Sequence, residues 1–158
     1  MNVPLRKFSD ELRDKIKLYS KKHIDIKDLI NGYDISNENL SYSHISELNL
    51  SERDISNCNF SHSTIKLIVN NGVARNCNFS YVTFLTSSSF RATDLRNSNF
   101  DGCNATNIDF AYSNLRDITY CNATFTMFSK YFYKAKFSKK FLELMHKFLD
   151  IEGLSEII

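Results

Sequence analysis

From Ile35 onward a large apolar residue returns at every fifth position. Ile35, Leu40, Ile45, Leu50, Ile55, Phe60 and Ile65 make one unbroken phase. The pattern breaks in KLIVNNGVARN, resumes at Phe79 and Phe84, and gains one residue in LTSSSF. It then runs through Phe90, Leu95, Phe100, Ala105, Phe110, Leu115, Tyr120 and Phe125, with Phe137 as a last copy. A strand repeats every second residue and a helix every 3.6, so neither explains this spacing. A five-residue unit cannot bury its own apolar residue, so the copies must stack and share a core.

The two positions before each large residue have their own character. Two residues before it stand Ser43, Cys58, Ser63, Cys77, Ser88, Thr93, Ser98, Cys103, Ser113 and Ala123, nearly all small. Directly before it stand Asp34, Asn39, Asn49, Asp54, Asn59, Asn78, Asp94, Asn99, Asn104, Asp109 and Asn114. The unit is therefore small, Asn or Asp, Leu or Phe, then two free positions. One large and one small side chain face inward, and the Asn or Asp oxygen can bond backbone at a bend. The chain has only 4 Gly and 1 Pro, so Asn, Asp, Ser and Thr must make its turns.

This unit resembles that of the pentapeptide-repeat family over about two thirds of the chain. The resemblance implies an all-β solenoid, a right-handed quadrilateral β-helix in which each repeat makes one side. At a strand spacing of ~4.8 Å, residues 33–137 would form about five coils, a rod on the order of 24 Å long. Several positions depart from the pattern. Glu38 and Arg53 occupy the small inward position, where an unpaired charge is costly, so both heads are expected at the open end or in solvent. Asn70 falls on the large apolar position, so residues 66–76 are expected to bulge or loop out of the coil. Ala105 is small where Leu or Phe is usual, so large neighbours must fill the space.

A solenoid must cover its ends. The expected division is a helical cap at 1–31, the repeat coil at 32–137 and a capping helix at 138–158. Leu5, Phe8, Leu12, Ile16 and Tyr19 form an apolar stripe at helical spacing. Arg6, Arg13, Lys17 and Lys21 lie off that stripe, as a solvated back or a basic docking face. At the other end Ser138 is a candidate N-cap, and Gly153 lies past the helix. The apolar residues there exceed one narrow stripe, so Phe148, Leu149, Leu154, Ile157 and Ile158 are candidate contacts for a second copy.

No apolar run is long enough for a membrane helix, and the first residues lack the apolar stretch of a secretory signal, so a cytoplasmic location is expected. The Asn-x-Ser/Thr triplets at Asn59, Asn78, Asn104 and Asn122 then arise from the repeat itself. Reduced cysteines follow from the same reading, with Cys58, Cys77 and Cys103 as small fillers of the core. His23, His44, His62 and His146 have no partners at metal-ligand spacing, and His44 and His62 belong to different sides of the coil. No phosphate-binding loop or nucleophile motif is present, so neither catalysis nor a cofactor is expected.

The functional expectation is a rigid, non-enzymatic protein-interaction scaffold. Arg75, Arg96 and Arg116 follow the large residue on one side of successive coils, with Asn97 and Asp117 in step. These residues and Tyr112 are the candidate partner-binding set. Tyr42, Tyr81, Tyr131 and Tyr133 are further candidate anchors. The family resemblance also implies an alternative, a DNA-mimicking protector of DNA gyrase or topoisomerase. Charge argues against it. Residues 33–137 carry 9 Lys/Arg against 9 Asp/Glu and the whole chain is +2, whereas a mimic of DNA must be negative. Direct nucleic-acid binding is not expected either.

Overall fold

The computed structural model describes residues 5–125 and 129–148, with side chains for all of these except 129 and 144–148. The repeats stack as a four-sided parallel solenoid. Each coil is about 20 residues, and each backbone bond to the next coil joins residues that far apart: Leu40 N–H donates to Asn59 O, Phe60 to Asn78 and Phe79 to Asn99. The short strands β1 (His44–Asn49), β2 (Thr64–Ile68), β3 (Thr83–Phe84), β4 (Asn104–Ala105) and β6 (Thr124–Phe125) pair in that order on one side. On another side β5 (Asn114–Leu115) pairs with β7 (Lys136–Phe137).

The large residues form four interior columns. Leu40, Phe60, Phe79 and Phe100 are fully buried one above another, and Tyr120 ends their column half-buried. Phe60 and Phe79 lie 5.6 Å apart and Phe79 and Phe100 5.0 Å, so the rings repeat at roughly the strand spacing. A second column runs through Phe90, Phe110 and Phe132 at 5.6 and 5.4 Å. Ala105 sits in register with Phe125, and the Phe100 ring leans across to both Phe84 and Phe125, at 6.4 and 6.3 Å.

The small inward residues do more than leave room. Ser98 Oγ donates to Ala74 O at 2.7 Å and accepts from Cys77 N–H at 3.1 Å. Ser63 Oγ donates to Leu40 O and accepts from Ser43 N–H in the same way. Each hydroxyl thus ties two coils together where no water reaches.

Corners are built from side chains as well as backbone. The oxygen of Asp34, Asn39, Asn49, Asp54, Asn59, Asn78, Asn99, Asn104 and Asp109 accepts the N–H two residues on, at 2.7–3.2 Å. The large residue then opens a tight turn, closed for example by Ser63 N–H on Phe60 O and Cys103 N–H on Phe100 O. The third residue of each turn has positive φ, at Asn57 (63°), His62 (59°), Asn97 (61°) and Asp117 (60°) among others, the mark of a type II turn. Asn tolerates this region, which is how the chain turns so often with so little glycine.

Residues 66–76 do not leave the coil. Leu67, Val69 and Ala74 are fully buried, and Val69, not Asn70, takes the large inward position. The side from Ile65 to Val69 is one residue short and the side stacked on it, Phe84 to Phe90, one residue long. β1 and β2 run extended where later coils turn, which absorbs the difference, and Ile68 still pairs with Ser89. Asn70 faces outward, its Oδ1 accepting from Ser89 Oγ at 2.6 Å and from Arg91 N–H at 3.1 Å. Gly72 stacks on Arg53 so closely that a Cβ would lie 2.7 Å from the Arg53 carbonyl oxygen.

Helix α1 (Asp10–Lys21) covers the first coil, with Ser9 Oγ capping it by accepting Leu12 N–H. Phe8, Leu12 and Ile16 are buried beneath it, while Leu5 is exposed. The short helix α2 (Lys27–Ile30) brings Ile26 and Ile30 into the core, so stacking reaches back to the bridge between Asp25 and His44. Arg13 of α1 binds Glu38 through both oxygens, at 2.9 and 2.7 Å. Glu38 does not project into solvent: only 11% of its side chain is exposed, and the cap supplies its counter-charge. At the far end come α3 (Ser129–Phe132) and α4 (Lys139–Phe148). Phe141 of α4 is buried against Phe137 and Tyr120, both at 4.6 Å.

Phe79→Ala should cost about 3–5 kcal/mol, because the emptied site lies between stacked rings that cannot collapse. Ser98→Ala should cost about 1–2 kcal/mol through its two lost bonds. Urea unfolding of both variants checks the order; a Phe79→Ala midpoint no lower than that of Ser98→Ala would refute it.

Candidate interaction surfaces

The outward positions inherit the coil register, so like positions form ladders. One corner carries Asn37, Asn57 and Asn76: Asn57 Nδ2 donates to Asn37 Oδ1 at 2.8 Å, and Asn76 Nδ2 to Asn57 Oδ1 at 3.2 Å. Asn97 and Asp117 continue that corner, since Asn76 N–H donates to Arg96 O and Asn97 N–H to Arg116 O. Arg75, Arg96 and Arg116 stand beside it on successive coils. Asp94 separates the first two. Its carboxylate takes Arg96 through Nε and Nη2 at 3.0 and 2.9 Å and Arg75 through Nε at 2.7 Å. Arg96 first, and Arg75 with it, holds the Asp94 carboxyl down at about 2. Arg116 forms no ion pair among the described residues.

These ladders are the outer face of a repeat that is recognisable in its own right. Residues 88–126 match the family described as pentapeptide repeats, in eight copies. The chain carries a pentapeptide-repeat domain.

Its solved counterparts are distant. A pentapeptide-repeat protein from the thylakoid lumen of Arabidopsis thaliana is 17% identical, with 62% of this chain aligned to 77% of that one at a TM-score of 0.34. A pentapeptide-repeat protein from Nostoc is 14% identical, with 86% of this chain aligned to 100% of that one at 0.32. A plasmid-mediated fluoroquinolone resistance protein, QnrB1, is 18% identical, with 65% of this chain aligned to 71% of that one at 0.21. Scores this low carry no functional inference. No curated protein sequence matches the chain.

The remaining candidates fall in two places on the pentapeptide-repeat coil. Tyr112 is 43% exposed, with the Arg91 guanidinium 4.8 Å over its ring and Tyr133 edge-on at 5.4 Å. Lys134 lies 5.3 Å from the Tyr133 ring. Tyr131 is half-buried against the core. At another corner Tyr42, His62 and Tyr81 stack face to face, 4.8 and 4.9 Å apart. Spacing assigns His44 and His62 to different sides of the coil. They meet on one groove, because the last residues of one side and the first of the next flank the same corner. The five-residue register applied to corner residues could have revealed this ladder, since Tyr42, His62 and Tyr81 are separated by one coil each.

The cysteines are free thiols. Cys58 Sγ donates to Ile35 O and Cys77 Sγ to Ile55 O, and burial pushes the Cys77 and Cys103 thiols up to about 12. Such thiols are poor nucleophiles. No cluster of three or more His, Cys, Asp or Glu that could hold a metal ion occurs among the described residues. No helix there is long and apolar enough to cross a membrane. The side chain of Phe148, and Leu149, Leu154, Ile157 and Ile158, lie outside the described residues.

Asp94 ties pH to stability. Its folded value lies below its unfolded one, so its contribution is present above pH ~4 and is lost as pH falls toward ~2. Asp94→Asn keeps the amide oxygen for the turn and loses the charge. It should cost about 1–2 kcal/mol at pH 7, with the gap to wild type closing below pH ~3. Urea titrations across that range measure it; a gap that does not change with pH would refute it.

Proposed function

We propose that the protein is a non-enzymatic scaffold that binds another protein through rigid outward side chains. One observation carries this reading. Tyr42, His62, Tyr81 and Tyr112 all sit at positive φ, between 56° and 62°. Bulky residues pay about 1–2 kcal/mol there, where Asn or Gly would be cheaper. The three tyrosines are nevertheless among the most exposed large side chains. Strain kept for an exposed ring points to a use for the ring.

The favoured contact is the patch around Tyr112. Tyrosine and arginine are the usual anchors of protein contacts, and here Arg91, Tyr133 and Lys134 pre-position one another around it. Arg116, which has no ion pair among the described residues, and Arg96, Asn97 and Asp117 would flank it. The partner face that fits is acidic, with a slot for an aromatic ring. The same reading places the protein in the cytoplasm, with the C-terminal residues Phe148, Leu149, Leu154, Ile157 and Ile158 pairing two copies.

The gyrase-binding alternative has weaker support. The carboxylates of Asp34, Asp54, Asp94 and Asp109 each spend an oxygen on a corner turn, and two arginines cover Asp94. They do not form a phosphate-like row.

Affinity capture from the native host with wild type and with the Tyr112→Ala/Arg116→Gln double variant tests the proposal. A partner held by wild type should be retained at least tenfold less by the variant, with its melting temperature within a few degrees of wild type. Identical capture by both proteins would overturn the assigned surface. Supercoiling by purified gyrase, with or without a quinolone, should be unchanged by the protein. Light scattering should give the mass of a dimer, and a Leu154→Asp/Ile157→Asp variant that of a monomer.

A further inference from the structure

The Tyr42–His62–Tyr81 ladder is closed at one end and open at the other. At the closed end Tyr81 lies over Gly102, where a Cβ would come within 2.6 Å of the ring. Any larger residue would displace it. At the open end the next corner position belongs to His23, which has the same positive φ, 53°. The Asp25–His44 bridge sets His23 one coil from Tyr42. His23 does not continue the stack: among the described rings Tyr42 has one partner, His62.

A groove of about 760 Å³ lies there, between the C-terminal half of α1 and the first coils. Tyr42 and His62 form part of one wall, and Lys17, Lys21 and His23 part of the other. No carboxylate lines it. Lys17 has a loose, exposed pair with Asp14 at 3.3 Å, and Lys21 has none among the described residues. Asp25 accepts from Lys27 N–H and Ser46 N–H and feels the charge of His44, without lining the groove. The groove therefore joins the open face of Tyr42 to positive charge that Asp14 and Asp25 offset only in part, with Lys21 free of any ion pair among the described residues.

We propose that this groove binds a planar aromatic anion. The ring would stack on Tyr42 and extend the ladder by one step, and its carboxylate or phosphate would lie between Lys17, Lys21 and His23. Stacking supplies the ring preference and the lysines supply the requirement for charge. Nucleoside monophosphates and aromatic carboxylates share this chemistry. The site is separate from the Tyr112 patch, so either can fail without the other.

Calorimetric titration of the full chain at pH 7 with four probes tests it. AMP and indole-3-carboxylate carry both ring and anion, adenosine the ring alone, and inorganic phosphate the charge alone. At least one of the first two should bind with a sub-millimolar Kd, at least tenfold tighter than adenosine and phosphate, and which of them binds identifies the source. Tyr42→Ala should weaken that binding at least tenfold. Lys17→Gln/Lys21→Gln, on the exposed face of α1, should abolish the preference for the anion while leaving the melting temperature unchanged, and serves alone should Tyr42→Ala fail to fold. Tyr112→Ala should bind as wild type does. Failure of both ring-bearing anions to saturate, or phosphate binding as tightly as they do, would overturn the proposal.

Discussion

The backbone hydrogen bonds between successive coils are the constraint on which the rest depends. Each one joins residues about 20 apart and sets the coils a strand spacing apart. Once that translation is imposed, every side chain meets its own counterpart from the coil above. Identical positions must then be compatible with themselves. Phenylalanine is, because its rings stack, as Phe60, Phe79 and Phe100 do. Serine is, because its hydroxyl donates and accepts in line, as Ser98 does. Asparagine is, through its amide, as Asn37, Asn57 and Asn76 are. Arginine is not, and Asp94 stands between Arg75 and Arg96 for that reason.

The same constraint explains how the coil tolerates a change in side length. A residue lost between Ile65 and Val69 would shift every later contact by one, were it not restored between Phe84 and Phe90 on the same side. The price is confined to one corner, where β1 and β2 stay extended instead of turning. Inward and outward residues return to register by Ser89. An open end has no coil above it to supply such partners. Glu38 occupies the inward column at that end and takes its counter-charge from Arg13 of the capping helix. Cap and coil are thus joined by an ion pair at a position where the repeat has no ion pair to offer.

The architecture was legible in the chain because a five-residue period fits neither a lone strand nor a lone helix and so requires stacked copies, while the four-sided coil is what the resemblance to pentapeptide repeats implies. The inward columns, the Asn and Asp corners and the stripe of Phe8, Leu12 and Ile16 all follow from reading single positions. The candidate sites were legible only in part. The order of Arg75, Arg96 and Arg116 follows from register, but the sharing of Asp94 depends on where two long side chains reach. Residues 66–76 look like a departure from the coil because, in a linear pattern, a missing residue gives the same signal, although Leu67, Val69 and Ala74 are buried in it. The groove beside Tyr42 was invisible for a different reason. It is bounded by a helix and by two coils, and no period links a helix to the coil it covers.

The sequence by itself determined that this chain must be a stacked repeat, which residues face its core and where it bends, because each of these is a local choice repeated many times. Tertiary structure alone decided which outward residues share a surface. That depends on the long-range register of the coils and on the seat of α1, where Ser20 meets Ser43 and Arg13 meets Glu38. Only this packing brings His23, His44, His62 and two lysines around one groove.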